Sequence, residues 1–258
     1  MKTLADPSQI LTRELAAIRS EFQVPEEFPP EVLIAAERAA RRAPSDHADW
    51  TRHPFVTLDP AHSTDLDQAF AIESAGDAHL LHYAIADIGW FVDPDGRIDA
   101  EAWRRGETLY LPDGKASLYP PLLSQGAASL LPDGPRPAVV FSVRVDAEGT
   151  VALDAVTRAV IRSRAKLAYA TVTEADLPPG FTTLTDRLIR AEAARGAAQN
   201  RPARAGGGRG RGRAAHPRLS RAPSQRGSQR GALARLQHGG GAAADGAWHG
   251  VVPCDGRA

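Results

Sequence analysis

The stretch PFVTLDPAHSTDLDQAFAIESAGDAHLLHYAIADIGWFV (residues 54–92) decides the fold of this chain. Its apolar runs FVTLD, AFAIES and HLLHYAIADIGWFV have the β-branched and aromatic content of strands. The polar segments SAGDA and DPDG, between and after these runs, are typical of turns. The pattern predicts antiparallel strands, followed by a short helix around residues 99–105 and then by the segment TLYLPDG.

Further strands are predicted after this stretch. The sequence AVVFSVRVDAEGTVALDAVTRAVIRS (residues 138–163) places two alternating apolar runs on either side of DAEG. Two such runs around a short polar turn that contains glycine predict a β-hairpin.

Helical spacing marks both ends of the ordered part. Residues 8–22 repeat apolar side chains every three or four positions, with Ser8 as a candidate N-cap, and residues 31–43 follow a proline that suits a helix start. A later helix is predicted at residues 185–198. The predicted class is therefore α+β.

Three domains are predicted from these patterns. A small helical N-terminal module, conceivably of helix-turn-helix kind, covers residues 1–52. A partial mixed α/β domain with antiparallel strands covers residues 53–198. A C-terminal tail covers residues 199–258, where arginine, glycine and alanine dominate.

Composition excludes some settings. Apolar residues make up 43% of the 258 residues, and no apolar run approaches the ~20 residues that a membrane span needs. The start of the chain does not have the pattern of a signal peptide, and the only cysteine is Cys254, so a disulfide framework is excluded. We expect a cytoplasmic protein without a membrane partner; protein partners cannot be named from the sequence.

The charge of the tail differs from that of the body. From Arg201 onward there are eleven arginines and two aspartates, with no lysine or glutamate, so this part carries +9 and residues 1–200 carry −9 of a neutral chain. Its few large apolar residues predict disorder. The composition fits a GC-rich gene read in the wrong frame, which we favour, or an Arg/Gly-rich arm that binds RNA.

The sequence DPAHSTDLDQ (residues 59–68) carries the candidate chemistry, because it places three carboxylates after a predicted strand. Asp65 and Asp67 are two positions apart, so they point to the same side of an extended segment, and Asp59 can reach them from the strand end. Clustered hard oxygen ligands suit Mg²⁺, or Mn²⁺, rather than Zn²⁺. A solvated acidic loop is the more common meaning of such a pattern taken alone.

The order of the neighbouring blocks changes that balance. HPFVTLDPAHSTDLDQAF, HYAIADIGWFV, GETLYLPDG, LLSQGAASLLPDGPRPAVVFSV and IRSRAKLAYATV follow one another between residues 53 and 175. This series resembles the catalytic (RNB) domain of the ribonuclease II and ribonuclease R family. The resemblance implies a processive hydrolytic exoribonuclease that degrades single-stranded RNA from its 3′ end to nucleoside 5′-monophosphates.

The resemblance also implies roles for individual residues. Asp59, Asp65 and Asp67 match family positions that hold the metal and the attacking water, with Asp65 and Asp67 as the catalytic pair. Gln68 stands where the family usually has another aspartate, so it offers a metal an oxygen without a charge. Tyr110 matches the family tyrosine that packs against the 3′-terminal nucleotide; the alternative for Tyr110 is a core tyrosine.

Other polar residues receive weaker assignments. Asp87 is expected to cap a turn rather than to touch the catalytic loop or RNA, and no histidine is given a catalytic role. A solvated basic face is the favoured reading of four residues that could otherwise meet phosphates: Arg136, Arg162, Arg164 and Lys166.

The later half of the family's catalytic domain is not matched, so we expect a truncated domain in which activity is in doubt. The alternative function is a non-catalytic RNA-binding protein that uses the tail.

Overall fold

The structure is a computed structural model that describes residues 9–111 and 113–196, apart from the side chain of Leu11. Ser8, the expected N-cap, and the tail at residues 199–258 lie outside the described residues. Residues 197 and 198, at the end of the last predicted helix, also lie outside them.

Four α-helices are described, and two of them have a recognisable sequence signal at one end. Proline at the first position and Glu31 in the first turn start the second helix, as the sequence predicts. The third helix ends at Gly106, whose φ of 75° suits glycine. The helices are α1 (Ile10–Glu21), α2 (Pro30–Ala40), α3 (Arg97–Arg105) and α4 (Phe181–Ala194).

Helix α4 begins four residues before its predicted start at residue 185. The chain enters it through Gly180, which has a φ of 83°, and its first turn already contains buried Phe181 and Leu184. The sequence shows no side-chain cap at this point, and the predicted start was therefore wrong.

Nine strands are described, and their order in the main sheet is not their order in the chain. They are β1 (Ala48–Asp49), β2 (Phe55–Asp59), β3 (Gln68–Ala75), β4 (Ala78–Ala86), β5 (Leu109–Leu111), β6 (Gly114–Ala116), β7 (Arg136–Val145), β8 (Val151–Ile161) and β9 (Ser163–Ala168). Seven form a sheet in the order β1-β8-β7-β4-β3-β2-β9, and β5 pairs with β6 in a separate hairpin. The α+β class with a mostly antiparallel sheet is confirmed.

Two strand pairs depart from the antiparallel expectation. Strand β9 runs parallel to β2, with Asp59 opposite Ala168, and β1 runs parallel to β8. Strand β3 is antiparallel to β2. The last residue of β2 therefore lies beside both the start of the next loop and the end of β9.

The described elements fall into two compact units. The first consists of Met1–Phe70, Ala84–Val140 and Thr157–Ala170. One of its apolar cores joins Val32, Ala36 and Ala39 of α2 to Phe91, Ile98, Leu123 and Ala128. Helix α2 thus shares a core with later segments, and the division at residue 52 stays a prediction.

Of the described residues, the second unit contains 71–83, 141–156 and 171–196. It contains the predicted hairpin turn between β7 and β8, where the carboxylate of Asp146 accepts hydrogen bonds from the amides of Glu148 (3.0 Å) and Thr150 (2.7 Å). Gly149 has a φ of 85°, and a Cβ atom there would lie 2.4 Å from the carbonyl oxygen of Arg187. Glycine is therefore required at this turn.

Within residues 9–111 and 113–196, no helix has both the length and the apolar character that crossing a membrane requires.

Candidate active site

The acidic loop (residues 59–68) begins where β2 ends and finishes at the start of β3. Residues 55–58 of β2 are buried, whereas Asp59 is half-buried at the strand end. The carbonyl oxygen of Asp59 accepts a hydrogen bond from the amide of Tyr169, 3.3 Å away, just beyond β9. Burial of the strand therefore fixes where the first carboxylate emerges.

One buried side chain fixes the middle of the acidic loop. Leu66 is fully buried, and its amide donates to the hydroxyl of Ser129 at 2.9 Å. That hydroxyl donates to the carbonyl of Thr64 at 2.7 Å, and the amide of Leu130 donates to the carbonyl of Leu66 at 2.8 Å. Asp65 and Asp67 flank this anchored leucine, so the position of both is set by the core.

The three carboxylates lie close enough to repel one another. Burial first, and then the charges of Asp67 and Asp65, raise the pKa of Asp59 to about 6, although the charge of Lys166 acts to lower it. Burial and then the charge of Asp65 raise the pKa of Asp67, which Lys115 lowers. The structure therefore places the three acids that the motif predicts near enough for their charges to interact.

These acids differ in their partners. The side chain of Asp65 forms an ion pair with Lys115, with 2.5 Å between Nζ and Oδ2. Among the residues that the structure describes, the carboxylates of Asp59 and Asp67 have no hydrogen-bond or ion-pair partner. Gln68 is half-buried and follows Asp67 directly as the first residue of β3. Three carboxylates and one side-chain amide thus lie along ten residues of chain.

Lys166 supports the acidic loop from β9. Its Nζ donates to the carbonyl oxygens of Ala61 at 2.9 Å and Ser63 at 2.5 Å. Strand β9 lies parallel to β2 with Lys166 opposite Thr57, which brings the side chain to the loop. The sequence placed this lysine in a basic cluster but gave no signal for these contacts, because they depend on β9 pairing with β2.

Two further basic residues, Arg164 and Arg136, also donate hydrogen bonds to backbone carbonyls. Arg164 donates to the carbonyl of Thr51 at 2.8 Å. Arg136 pairs with Asp133 at 2.6 Å and donates to the carbonyl of Gly126 at 3.3 Å. At Arg136 and Lys166 the expected solvated basic face is replaced by side chains that tie segments together, whereas Arg162 and Arg164 are exposed, as expected.

Tyr110 lies on the β5–β6 hairpin and is 77% exposed. It stands directly opposite Lys115 in the hairpin register, so the two side chains share one face. The alternative in which Tyr110 is a core residue is wrong, because a core aromatic would be covered. The hairpin therefore carries both an open aromatic ring and the lysine that reaches Asp65.

Asp87 is buried and fully engaged away from the acidic loop. Its carboxylate accepts hydrogen bonds from Nε2 of His47 (3.0 Å), Nε of Arg158 (2.8 Å) and the amide of Trp90 (3.2 Å). The last contact caps the short 3₁₀ turn Ile88–Trp90. The expected capping role is confirmed, and Arg158 and His47 are partners that the sequence did not indicate.

Comparison with known proteins identifies the family of this chain. The RNB domain matches residues 47–176, which is half of the chain. This chain belongs to the RNB domain family. The RNB chain is 34% identical over 163 residues to Ribonuclease R of Vibrio cholerae, covering 61% of itself and 20% of that relative. It is 36% identical over 146 residues to Exoribonuclease 2 of Yersinia enterocolitica, covering 56% of itself and 23% of that relative.

A third relative bears on activity. The RNB chain is 34% identical over 148 residues to an Arabidopsis thaliana protein named as an inactive exonuclease, covering 55% of itself and 14% of that protein. The chain thus spans about a fifth of the length of the curated relatives described here. Family membership by itself therefore does not establish catalysis.

A solved structure supports the fold. Mycoplasma genitalium RNase R, in complex with double-stranded RNA, superposes with a TM-score of 0.61 at 24% identity, covering 70% of this chain and 35% of that one. The RNB chain shares the architecture of that region.

Proposed function

We propose that this RNB chain carries the metal-binding and 3′-nucleotide-binding part of a Mg²⁺-dependent exoribonuclease, which releases nucleoside 5′-monophosphates from the 3′ end of single-stranded RNA. The observation that carries the proposal is the acidic loop, where three carboxylates raise one another's pKa and only Asp65 forms an ion pair among the described residues; Lys166 and Lys115 act on Asp59 and Asp67 from farther away. Relatives named Ribonuclease R and Exoribonuclease 2 support the reaction class.

The acidic loop fits a hard divalent cation. Its donors are carboxylate and amide oxygens, which Mg²⁺ and Mn²⁺ prefer. The mutual repulsion of Asp59 and Asp67 is a cost to the protein alone that a dication would relieve. Asp59, Asp65 and Asp67 would hold the ion, and Gln68 would add a neutral oxygen where a fourth charge is missing. When bound, the ion supplies Lewis-acid stabilisation of charge on the scissile phosphate.

The remaining work falls to side chains of this chain. Asp65 and Asp67 lie on either side of anchored Leu66, so their carboxylates can accept the hydrogens of a water and orient it toward the terminal phosphorus. In the hydrolysis, the water oxygen bonds to phosphorus and gives up a proton to one of these carboxylates, while the P–O bond to the 3′ oxygen of the preceding nucleotide breaks and that oxygen takes up a proton from solvent. Holding the water and phosphate in a fixed geometry lowers the entropic part of the barrier.

Tyr110 would select for a free RNA end rather than for a base. An exposed aromatic ring stacks on any base, contributing about 1 to 3 kcal/mol per base. Tyr110 presents such a ring on the β5–β6 hairpin, which Lys115 connects to the acidic loop. A terminal nucleotide stacked there would place its phosphate toward the carboxylates.

The test follows release of nucleoside monophosphates from 3′- and 5′-labelled single-stranded RNA by the full chain with Mg²⁺. Asp67→Asn is expected to lower the rate by at least about 100-fold, as loss of a group that organises the transition state does. The matched control is Asp77→Asn, which removes an exposed carboxylate from the turn between β3 and β4. Calorimetric titration with Mg²⁺ gives a second readout, in which the Asp67 variant binds more weakly.

Three results distinguish the outcomes. Wild-type monophosphate release that Asp67→Asn abolishes supports the proposal. Equal rates in wild type and Asp67→Asn overturn it. Mg²⁺ binding that depends on Asp67 without any release leaves a metal site but no nuclease.

A second candidate, RNA binding without hydrolysis, is favoured by Gln68, which replaces an acid, and by the relative named as inactive. Under that function, binding would come from the arginine-rich tail and would weaken steeply with salt. RNA affinity that falls when residues 201–258 are deleted, in a chain that releases no monophosphate, would select it.

A further inference from the structure

We propose that Lys115 is a positioning residue that occupies Asp65 until a divalent cation binds, and that it then passes to a phosphate of the 3′-terminal RNA nucleotide. This inference rests on the proposed function and adds an order of events to it. Metal loading of the acidic loop and capture of the RNA end by the β5–β6 hairpin become linked steps.

The first argument is the ion pair itself. Nζ of Lys115 lies 2.5 Å from Oδ2 of Asp65, and the two side chains are 28% and 26% exposed. An ammonium at this distance occupies one of the two carboxylate oxygens of Asp65 that could bind a metal ion. Because Mg²⁺ and the ammonium carry charges of the same sign, a cation at Asp65 repels Lys115. Metal binding is therefore expected to weaken this pair.

The second argument is where the released amine would lie. Lys115 faces Tyr110 across the β5–β6 hairpin, and side chains of directly opposed residues start about 5 Å apart. Tyr110 is exposed. A nucleotide whose base stacks on this ring brings its phosphate near the same face, where a free ammonium can pair with it.

The third argument is that the hairpin is tied at both ends, so the lysine side chain is the part that moves. The guanidinium of Arg19 in α1 donates two hydrogen bonds, of 2.8 and 3.3 Å, to the carboxylate of Asp113 in the turn. Beyond β6, the amide of Leu118 donates to the hydroxyl of Thr108 at 3.0 Å, and Arg105 donates to the carbonyl of Ser117 at 3.1 Å. The flexible four-carbon side chain of Lys115 allows its ammonium to move from Asp65 to a phosphate.

Lys166 provides the internal control, because it binds backbone carbonyls of the acidic loop, whereas Lys115 binds a carboxylate. Nζ of Lys166 donates to two backbone carbonyls of the acidic loop, those of Ala61 and Ser63. Those contacts do not use a carboxylate oxygen and do not compete with a metal ion for one. Loss of Lys166 should loosen the loop, which opposes the gain from removing a positive charge near Asp59. Loss of Lys166 should therefore raise Mg²⁺ affinity less than loss of Lys115 does.

The experiment measures Mg²⁺ and RNA binding separately in the full chain. Calorimetric titration with Mg²⁺ alone is expected to show tighter binding for Lys115→Met by about two- to fivefold, the factor that corresponds to one partly exposed ion pair. Lys166→Met is expected to show a smaller gain in Mg²⁺ affinity than Lys115→Met, or no gain. Anisotropy of a short 5′-fluorescein oligoadenylate with a phosphorothioate 3′ linkage, in Mg²⁺, is expected to show weaker RNA binding for Lys115→Met and recovery in Lys115→Arg.

Opposite signs for metal and RNA are the signature of this role. If Lys115 only stabilises the hairpin, Lys115→Met should bind both Mg²⁺ and RNA more weakly. If Lys115 has no role, the variant should bind both as wild type does. Either result overturns the inference. If wild type and Asp67→Asn bind Mg²⁺ equally, the proposed function itself fails. If only Asp67→Asn loses Mg²⁺ and Lys115→Met does not gain it, the proposed function stands and the role of Lys115 is rejected. Equal thermal melts of the lysine variants confirm that each compared protein is folded.

Discussion

Asp87 and the acidic loop are two carboxylate environments in one chain, and their difference lies in partners. The Asp87 side chain is only 8% exposed, yet His47, Arg158 and the amide of Trp90 all donate to it. Asp59 and Asp67 are crowded by each other, and among the described residues no cation pairs with either. A buried carboxylate with hydrogen-bond and ion-pair partners stabilises the fold. A carboxylate without such partners lowers stability, and an added cation could relieve that cost.

The comparison predicts opposite effects for two isosteric substitutions. Asp67→Asn, expected to reduce monophosphate release by at least about 100-fold, should leave the melting temperature in EDTA unchanged or raised, because it relieves repulsion. A lower melting temperature of Asp67→Asn, together with unchanged activity, would show that Asp67 is a structural carboxylate like Asp87.

Asp87→Asn should instead destabilise the chain by about 2 kcal/mol, because Arg158 and His47 lose a charged acceptor in a buried position. Urea denaturation at neutral pH measures this difference. The matched control is Asp154→Asn, which breaks the more exposed ion pair with Arg144 and should cost at most about 1 kcal/mol. Equal losses in both variants would show that burial of the pair does not matter here.

Replacement of Tyr110 sharpens the assignment of the hairpin. Tyr110→Ala should weaken binding of single-stranded RNA by about 1 to 3 kcal/mol through lost stacking, whereas Tyr110→Phe keeps the ring and should bind almost as wild type does. Because the side chain is 77% exposed, neither variant should alter the urea midpoint. Fluorescence anisotropy supplies the affinities, and a loss in the phenylalanine variant equal to that of alanine would argue against stacking.

Asp59 gives the smallest effect, and its sign depends on pH. Its pKa of about 6 in the folded chain exceeds the ordinary 3.8, so the folded state binds the proton more tightly than the unfolded state does. Without metal, the folded chain therefore loses stability as pH rises from about 4 to about 6. After allowance for solvent screening, the penalty is about 1 kcal/mol.

Asp59→Asn should accordingly melt at a higher temperature than wild type at pH 7.5 in EDTA, and the gap should close near pH 4. Added Mg²⁺ should stabilise wild type more than this variant. Differential scanning fluorimetry across pH measures both effects, with Asp77→Asn as the control for loss of one charge. A pH-independent gap would contradict the electrostatic origin.

Much of the fold could be predicted because the patterns are local. The strands on both sides of the acidic loop, the hairpin around DAEG and the start of α2 at Pro30 all follow from alternation, turn residues and helix signals. Helix α4 was misplaced because Gly180, rather than a side-chain cap, precedes it. The β5–β6 hairpin was not predicted, because TLYLPDGKA is too short to show a period.

The candidate site divides in the same way. The residues of the acidic loop and Tyr110 could be chosen from motif spacing and from resemblance to a family, and their roles stay predictions. The ion pair of Asp65 with Lys115 joins residues 50 positions apart, and that of Asp87 with Arg158 joins residues 71 apart. Spacing along the chain does not encode such contacts.

The sequence by itself determined which residues are strands and turns and which side chains bear the chemistry, because periodicity and residue type act over a few positions. Only the tertiary structure decided which carboxylates have hydrogen-bond or ion-pair partners. Parallel pairing of β9 with β2 brings Lys166 to the carbonyls of the acidic loop, and the hairpin register places Lys115 beside both Asp65 and Tyr110. Charge compensation depends on distance in space, and sheet order sets that distance.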